Sequence, residues 1–249
     1  MEIIDSHCHL DFDKFNMDRE EAIARALDAD IVEMINSGID TNSNKTSIQL
    51  SKQYDFIQPS LGLAPSRALA MSEDDLASAI AFIEENLNEA VAIGEAGLDY
   101  HHFKKETDRA KQQDAFLQVI EVACTSALPL VIHGRDAEDI CLDLAHECDI
   151  IMHCYSGSME TMMKAVDMGC YISIATLVCF SKHHQELVSK IPMENLLIET
   201  DSPYLSPRKG RNEPAYLIDS VKTIAKIRQI NPTEVAEITT RNARLVFGI

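Results

Sequence analysis

EIIDSHCHL (2–10) is a short apolar run that ends in two histidines one residue apart. It is too short for a typical helix, and bounded apolar runs of this length read as strands. Seven further stretches of the same kind follow: DIVEMINSG (30–38), FIQPSLGLAP (56–65), AVAIGEAGLD (90–99), LPLVIHG (128–134), DIIMHCYSG (149–157), CYISIA (170–175) and NLLIETDSP (195–203). Most end on Gly, Pro, Asp or His, the residues expected where a strand passes into a loop. The segments between them carry helical periodicity. Leu76, Ile80, Ile83 and Leu87 follow a Ser72–Asp75 cap, and Phe116, Val119, Ile120, Ala123 and Ala127 form one stripe. After the eighth run Pro203, Pro207 and Gly210 mark a loop. Two helical patterns follow, 214–229 and 233–247, divided at Asn231-Pro232.

Strands alternating with helices predict parallel βαβ units. Eight such units in 249 residues match the size and count of an α/β TIM (β/α)8 barrel. The rival, a doubly wound open sheet, lacks support because no GxGxxG opens a helix. With no linker or low-complexity tract, one domain over 1–249 is expected.

A net charge of −18 argues against a general nucleic-acid-binding surface, so activity on phosphate backbones requires local cations or a basic loop. Hydrophobic content of 46% suffices for a large core. No stretch reaches the roughly 20 apolar residues of a membrane helix, and no secretory signal is expected. The seven cysteines are scattered and form no CxxC, which predicts reduced thiols in a cytoplasmic protein.

In a (β/α)8 barrel the functional residues come from the C-terminal ends of the strands. Those ends carry His7 and His9 on the first run, Glu95 on the fourth, His133 on the fifth, His153 on the sixth and Asp201 on the eighth. Four imidazoles and two carboxylates are the donor set of a two-metal hydrolytic centre in which a carboxylate bridges the ions and activated water attacks. Strand alternation turns His7 and His9 together and sends Cys8 to the opposite face, and it separates Cys154 from His153 in the same way. A Cys-ligated zinc is therefore disfavoured. His101 and His102 fall in a loop open to substrate, and His146 reads as surface. The pair His183-His184 reads as solvated. Arg135 is a candidate phosphate contact, with ion pairing to Asp136 or Asp139 as its alternative. Arg208, Lys209 and Arg211 concentrate positive charge in PRKGRNEP (207–214), just past Asp201. Arg208 and Arg211 are candidate substrate contacts, as is Tyr100 at the end of GEAGLDY.

The stretches DSHCHLDF, GEAGLDY, LPLVIHGRDA, HCYSG, ETDSPYL, RNEPAYL and TTRNARLVFGI span nearly the whole chain. In that order they closely resemble the TatD family of metal-dependent hydrolases, the TatD-related deoxyribonucleases. The resemblance implies an amidohydrolase-like TIM barrel with a two-ion site. His7 and His9 would bind one ion, His133 and His153 the other, and Glu95 both. Asp201 would bind the first ion and serve as general base. It further implies hydrolysis of DNA phosphodiester bonds, often from an end, although some relatives act on esters such as misacylated tRNA. One departure is local: GLAP (62–65) places Ala64 where the family commonly has the histidine of G-x-H-P.

The expected function is thus a deoxyribonuclease acting on DNA ends through two divalent ions. The N/O donor set suits Zn, Mn, Fe, Co or Ni better than Mg. The alternatives are a carboxyl-ester or amide hydrolase, such as a deacylase of misacylated tRNA, and a non-catalytic metal- or partner-binding barrel. No membrane and no obligate protein partner is expected.

Overall fold

A computed structural model describes residues 1–249. All eight expected runs are strands: β1 (Ile3–Cys8), β2 (Ile31–Ser37), β3 (Ile57–Leu63), β4 (Ala92–Asp99), β5 (Leu130–Arg135), β6 (Ile150–His153), β7 (Tyr171–Ile174) and β8 (Leu196–Ile198). They form one parallel sheet in the order β1 to β8. Between them lie α1 (Arg19–Asp28), α2 (Thr41–Gln53), α3 (Pro65–Leu69), α4 (Glu73–Glu85), α5 (Glu106–Thr125), α6 (Glu138–Leu144), α7 (Met159–Asp167) and α8 (Lys182–Lys190). After β8 come α9 (Leu217–Arg228) and α10 (Pro232–Phe247).

Local chemistry sets the helix ends. Ser72 and Asp75 form the expected capping box of α4, and Asp40 with Ser43 forms a second one at α2. Gln229 ends α9 in the left-handed region at φ 57°, and Pro232 opens α10. Ala127 falls past the end of α5, because that helix stops at Thr125.

Alternation along the strands builds two apolar layers. Leu130 and Ile132, Ile150 and Met152, and Leu196 and Ile198 pack outward under the helices. Val131, Ile151 and Leu197 point inward with Ile4, Ile35 and Ala92, and Ala243 and Phe247 of α10 plug that end. No backbone ladder joins β8 to β1. The seam closes instead through Asp201 N–H to His7 O (3.0 Å), His9 N–H to Ser202 O (2.8 Å) and the buried Asp5. The Asp5 carboxylate accepts from Thr200 N (2.9 Å) and Thr200 Oγ1 (2.5 Å). Burial outweighs these bonds and pushes Asp5 up to about 8.

The cysteine reading needs one correction. Cys124 in α5 and Cys148 before β6 are joined in a disulfide, and the other five thiols are free. Their 24-residue separation hid the pair, since the fold rather than the spacing brings them together. No helix is long and apolar enough to cross a membrane.

Candidate metal centre

The inward rows of the strands run straight into the centre. On β5 the inward residue after Val131 is His133, and on β6 the one after Ile151 is His153. Beyond β8 the row that starts at Leu197 continues through Glu199 to Asp201. On β1 and β4 the row slips by one residue. Ile4 points inward and the Ser6 hydroxyl meets Ser173 of β7 across the barrel at 2.9 Å, yet His7 is also inside, stacked on His153 at 3.9 Å. A register shift between Asp5 and Cys8 accounts for this. It leaves Cys8 buried in the outer layer, with its thiol on Ile35 O (3.6 Å), as alternation requires.

On β4 the slip lies between Ile93 and Ala96, and Gly94 adopts φ 137°. A Cβ on Gly94 would sit 2.4 Å from Val131 O, and one on Gly62 would sit 2.4 Å from Glu95 N. Glycine at both places lets Glu95 swing inward.

Glu95 lies at the middle of the cluster. Its Oε2 is 3.0 Å from His7 Nε2, 3.6 Å from His9 Nε2 and 3.5 Å from His153 Nε2. Its Oε1 is 3.8 Å from His133 Nδ1. Asp201, held at φ 51°, brings Oδ1 to 3.5 Å from His9 Nε2 and 3.9 Å from His7 Nε2. Donor atoms of His7, His9 and Asp201 lie within 4.8 Å of one another, as do those of Glu95, His133 and His153, and those of His7, His153 and Glu199.

Outer partners orient the rings. His9 Nδ1 donates to Ser37 O (2.7 Å), which leaves a lone pair on Nε2. His7 Nδ1 meets Ser37 Oγ (3.0 Å). His153 Nδ1 donates to Glu199 Oε1 (3.2 Å), and His133 Nε2 faces Asp99 Oδ2 (3.9 Å). The His7 and His9 Nε2 atoms are 3.2 Å apart, so donor lone pairs converge in a buried space. A shared cation satisfies that arrangement, and imidazole with carboxylate is the donor set of a hydrolytic divalent ion. These residues fit a metal.

Burial and neighbouring charge oppose each other at each of these groups. Burial works against ionising Glu95, but the His7 hydrogen bond and the nearby His153, His9 and His133 charges hold it well below the usual carboxylate range. Burial also opposes protonation of His9 and His153. For His9 the Asp201 hydrogen bond and the Glu95 charge outweigh it, and for His153 Glu199 does, so both rise to about 9. For His7 and His133 burial prevails and their pKa values are lowered.

The six expected ligands are therefore brought together, and the substrate residues fare differently. Arg135 ends β5 exposed, with no ion pair through its guanidinium; Asp136 bonds His101 (3.1 Å) and Asp139 bonds Lys164 (3.4 Å). Tyr100 is not brought to the site. Its buried ring carries Arg109 at 4.4 Å, and its hydroxyl accepts from Gln113 (2.7 Å). Arg208 and Arg211 are committed elsewhere, which removes the basis for reading their loop as a free basic patch. Arg208 makes two bonds to Asp219 (2.7 and 3.0 Å), and Arg211 makes two to Asp18 (2.6 and 2.8 Å).

Two other readings are corrected. His184 is buried in α8, where Nε2 meets Ser156 Oγ (3.1 Å), whereas His183 is exposed and bonds the carbonyls of Ser156 and Gly157. Cys154 does not pack in the outer apolar layer. It follows the last residue of β6 with φ 45°, so strand alternation no longer applies. Burial pushes its thiol up, and the charges of Asp201, Glu199 and Glu95 add to that.

Sequence reasoning missed Glu199, Asp99, Ser37 and Asp5. Glu199 carried a usable signal: it stands two residues before Asp201, on the same face of an extended segment.

The TatD related DNase family profile matches residues 4–248. Over 259 aligned residues the chain is 37% identical to the uncharacterized metal-dependent hydrolase YabD of Bacillus subtilis, with 99% of each protein covered. It is 33% identical to the 3'-5' ssDNA/RNA exonuclease TatD of Salmonella typhimurium, again with 99% of each covered. Among solved structures it superposes on YJJV, a TatD homolog from Escherichia coli K12, with a TM-score of 0.89 at 24% identity, covering 99% of this chain and 98% of that one. A profile match over almost every residue, on a barrel whose mouth gathers a hydrolytic donor set, places this chain in the TatD family of metal-dependent hydrolases.

Proposed function

We propose that the chain is a two-ion phosphodiesterase acting on nucleic-acid ends, a deoxyribonuclease of the exonuclease type. The observation that carries this reading is Glu95, whose two carboxylate oxygens face different histidines, Oε2 towards His7 and Oε1 towards His133. His7, His9 and Asp201 would hold one divalent ion and His133 and His153 the other, with Glu95 placed to serve both. Such ions supply Lewis-acid charge to a phosphoryl oxygen and make water nucleophilic near neutral pH.

The chain's own residues do the rest. Asp201, ionised because its pKa is lowered, is the carboxylate that takes the proton of the attacking water. The net contributions of His9 and neighbouring imidazoles keep that carboxylate charged despite burial. Glu199 and Ser37 fix the rings of His153 and His9, and the exposed guanidinium of Arg135 meets a substrate phosphate. The nuclease-named TatD relative supports the choice of substrate.

The charge of −18, with Arg208 and Arg211 tied into internal pairs, favours a second reading on small or neutral substrates: a carboxyl-ester or amide hydrolase using the same donors. Metal-loaded wild type and Asp201→Asn are assayed side by side on end-labelled single strands and on acylated esters. Metal-dependent shortening of the strand, lost in the variant, is the expected result. Ester cleavage without strand cleavage would replace the first reading by the second.

A further inference from the structure

Beside the proposed ions lies a cleft of about 440 Å³, within the size range of small-ligand sites, between the loops after β1 and β2 and the segment after β8. Its wall begins at the centre itself. The Phe12 ring stacks on His9 at 4.4 Å and 17°, and Tyr204, whose N–H bonds Asp201 O at 3.0 Å, presents its ring edge-on to Phe12 at 6.2 Å. Tyr204 is 45% exposed, so part of its ring is open to a ligand in the cleft. Two cations complete the cleft. Lys14 Nζ stands 4.4 Å from the centre of the Tyr204 ring and forms no ion pair. Arg67 on α3, one turn after Ala64, meets Asp40 only through Nε at 3.3 Å, so unlike the doubly bonded Arg208 and Arg211 it keeps its two Nη groups for an anion. Three carboxylates also line the cleft: Asp40 is paired with Arg67 and caps the first turn of α2, whereas Asp11 and Asp13 accept from the amides of Asn36 and Asn16 and have no cation of their own.

Aromatic rings beside cations are how single-stranded nucleic acid is held, with bases on the rings and phosphates on the charges. We propose that this cleft takes one nucleotide unit of the substrate, its base against Phe12 and Tyr204 and a phosphate on Lys14 and Arg67. The proposal rests on the nuclease reading above and adds the subsite that sets the end of the strand in the centre. The loop that lacks the family's imidazole at Ala64 thereby offers a guanidinium three residues later.

The test uses the metal-loaded full chain and short single strands whose first or last residue is either normal or abasic. Wild type is expected to prefer the normal end by about tenfold or more in kcat/KM, as one stacked base implies. Tyr204→Leu loses that preference through KM, Tyr204→Phe keeps it, and Arg67→Ala raises KM for both strands and flattens the salt dependence. A wild type indifferent to the abasic end, or a preference that survives both Tyr204→Leu and Phe12→Leu, overturns the subsite while leaving the nuclease reading intact. If no strand is cut, the nuclease reading fails, and calorimetric titration with dAMP decides the subsite. Binding that Tyr204→Leu abolishes supports it, and absent or unaltered binding overturns it.

Discussion

Strands β5 and β6 deliver their histidines by plain alternation, whereas β1 and β4 deliver His7 and Glu95 by slipping a register. The regular strands need nothing beyond an inward row: Val131 to His133, Ile151 to His153. The slipped strands need local devices. On β4 these are the glycines around Glu95. On β1 the Asp5 carboxylate, 3.3 Å from His7 N, fills the place of a missing ladder with β8. Regular geometry thus sets one side of the centre, and the residue at its middle, Glu95, depends on an irregular backbone that most side chains would forbid.

That contrast is broken most severely at Gly94. Gly94→Ala is expected to lower hydrolysis by about 100-fold or more, because a misplacement near 1 Å at a catalytic group has that effect. Bound metal, read by elemental analysis, should fall with it. An active Gly94→Ala protein would show that the slip on β4 is not needed to place Glu95.

Glu199→Gln tests the regular side. It removes the carboxylate behind His153 and should weaken metal affinity about 10–100-fold, measured by chelator competition. Ser37→Ala should do less, under about tenfold, because the Ser37 carbonyl on His9 survives the change.

A third comparison concerns the loop after β6, which His184 clips through Ser156. Burial lowers His184 to about 4. A depressed histidine contributes stability fully above its ordinary value near 6.5, and that contribution is lost as pH falls through 4. Between pH 6.5 and 5 this amounts to about 2 kcal/mol. His184→Gln should therefore lose less Tm than wild type when calorimetry is repeated at pH 7 and 5; equal losses would refute the assignment.

The smallest effect is expected at Arg211. Its bonds to Asp18 anchor a loop beside the centre. Arg211→Ala should reduce stability by about 1 kcal/mol, as for a partly exposed ion pair, with kcat on a metal-dependent substrate unchanged. A raised KM for oligonucleotides would return Arg211 to the substrate surface.

Much of this fold and centre is legible in the sequence. The eight runs are the eight strands, since apolar patterning and terminal Gly, Pro and Asp are local properties of a strand. The six candidate ligands come from the C-terminal parts of the runs, although Glu95 sits within β4 and Asp201 three residues past β8, and parity turned His7 and His9 together and Cys8 away. Parity failed for Cys154, where the backbone leaves the strand at φ 45°. It also gave no warning of the slips on β1 and β4. The arginines at 208 and 211 looked like free positive charge because their partners, Asp219 and Asp18, come from other elements.

The sequence by itself determined the order of strands and helices, the row of donors along one end of them, and the family. Tertiary structure decided what each donor leans on: Glu199 behind His153 from 46 residues away, Ser37 behind both His7 and His9, and Asp5 across the seam to Thr200 from 195 away. It also decided that Cys124 meets Cys148, and that Phe12, Tyr204, Lys14 and Arg67 share a cleft. The physical reason is one of range. Periodicity is written in neighbours a few residues apart, whereas a buried polar group takes whichever partner barrel closure brings within hydrogen-bond reach.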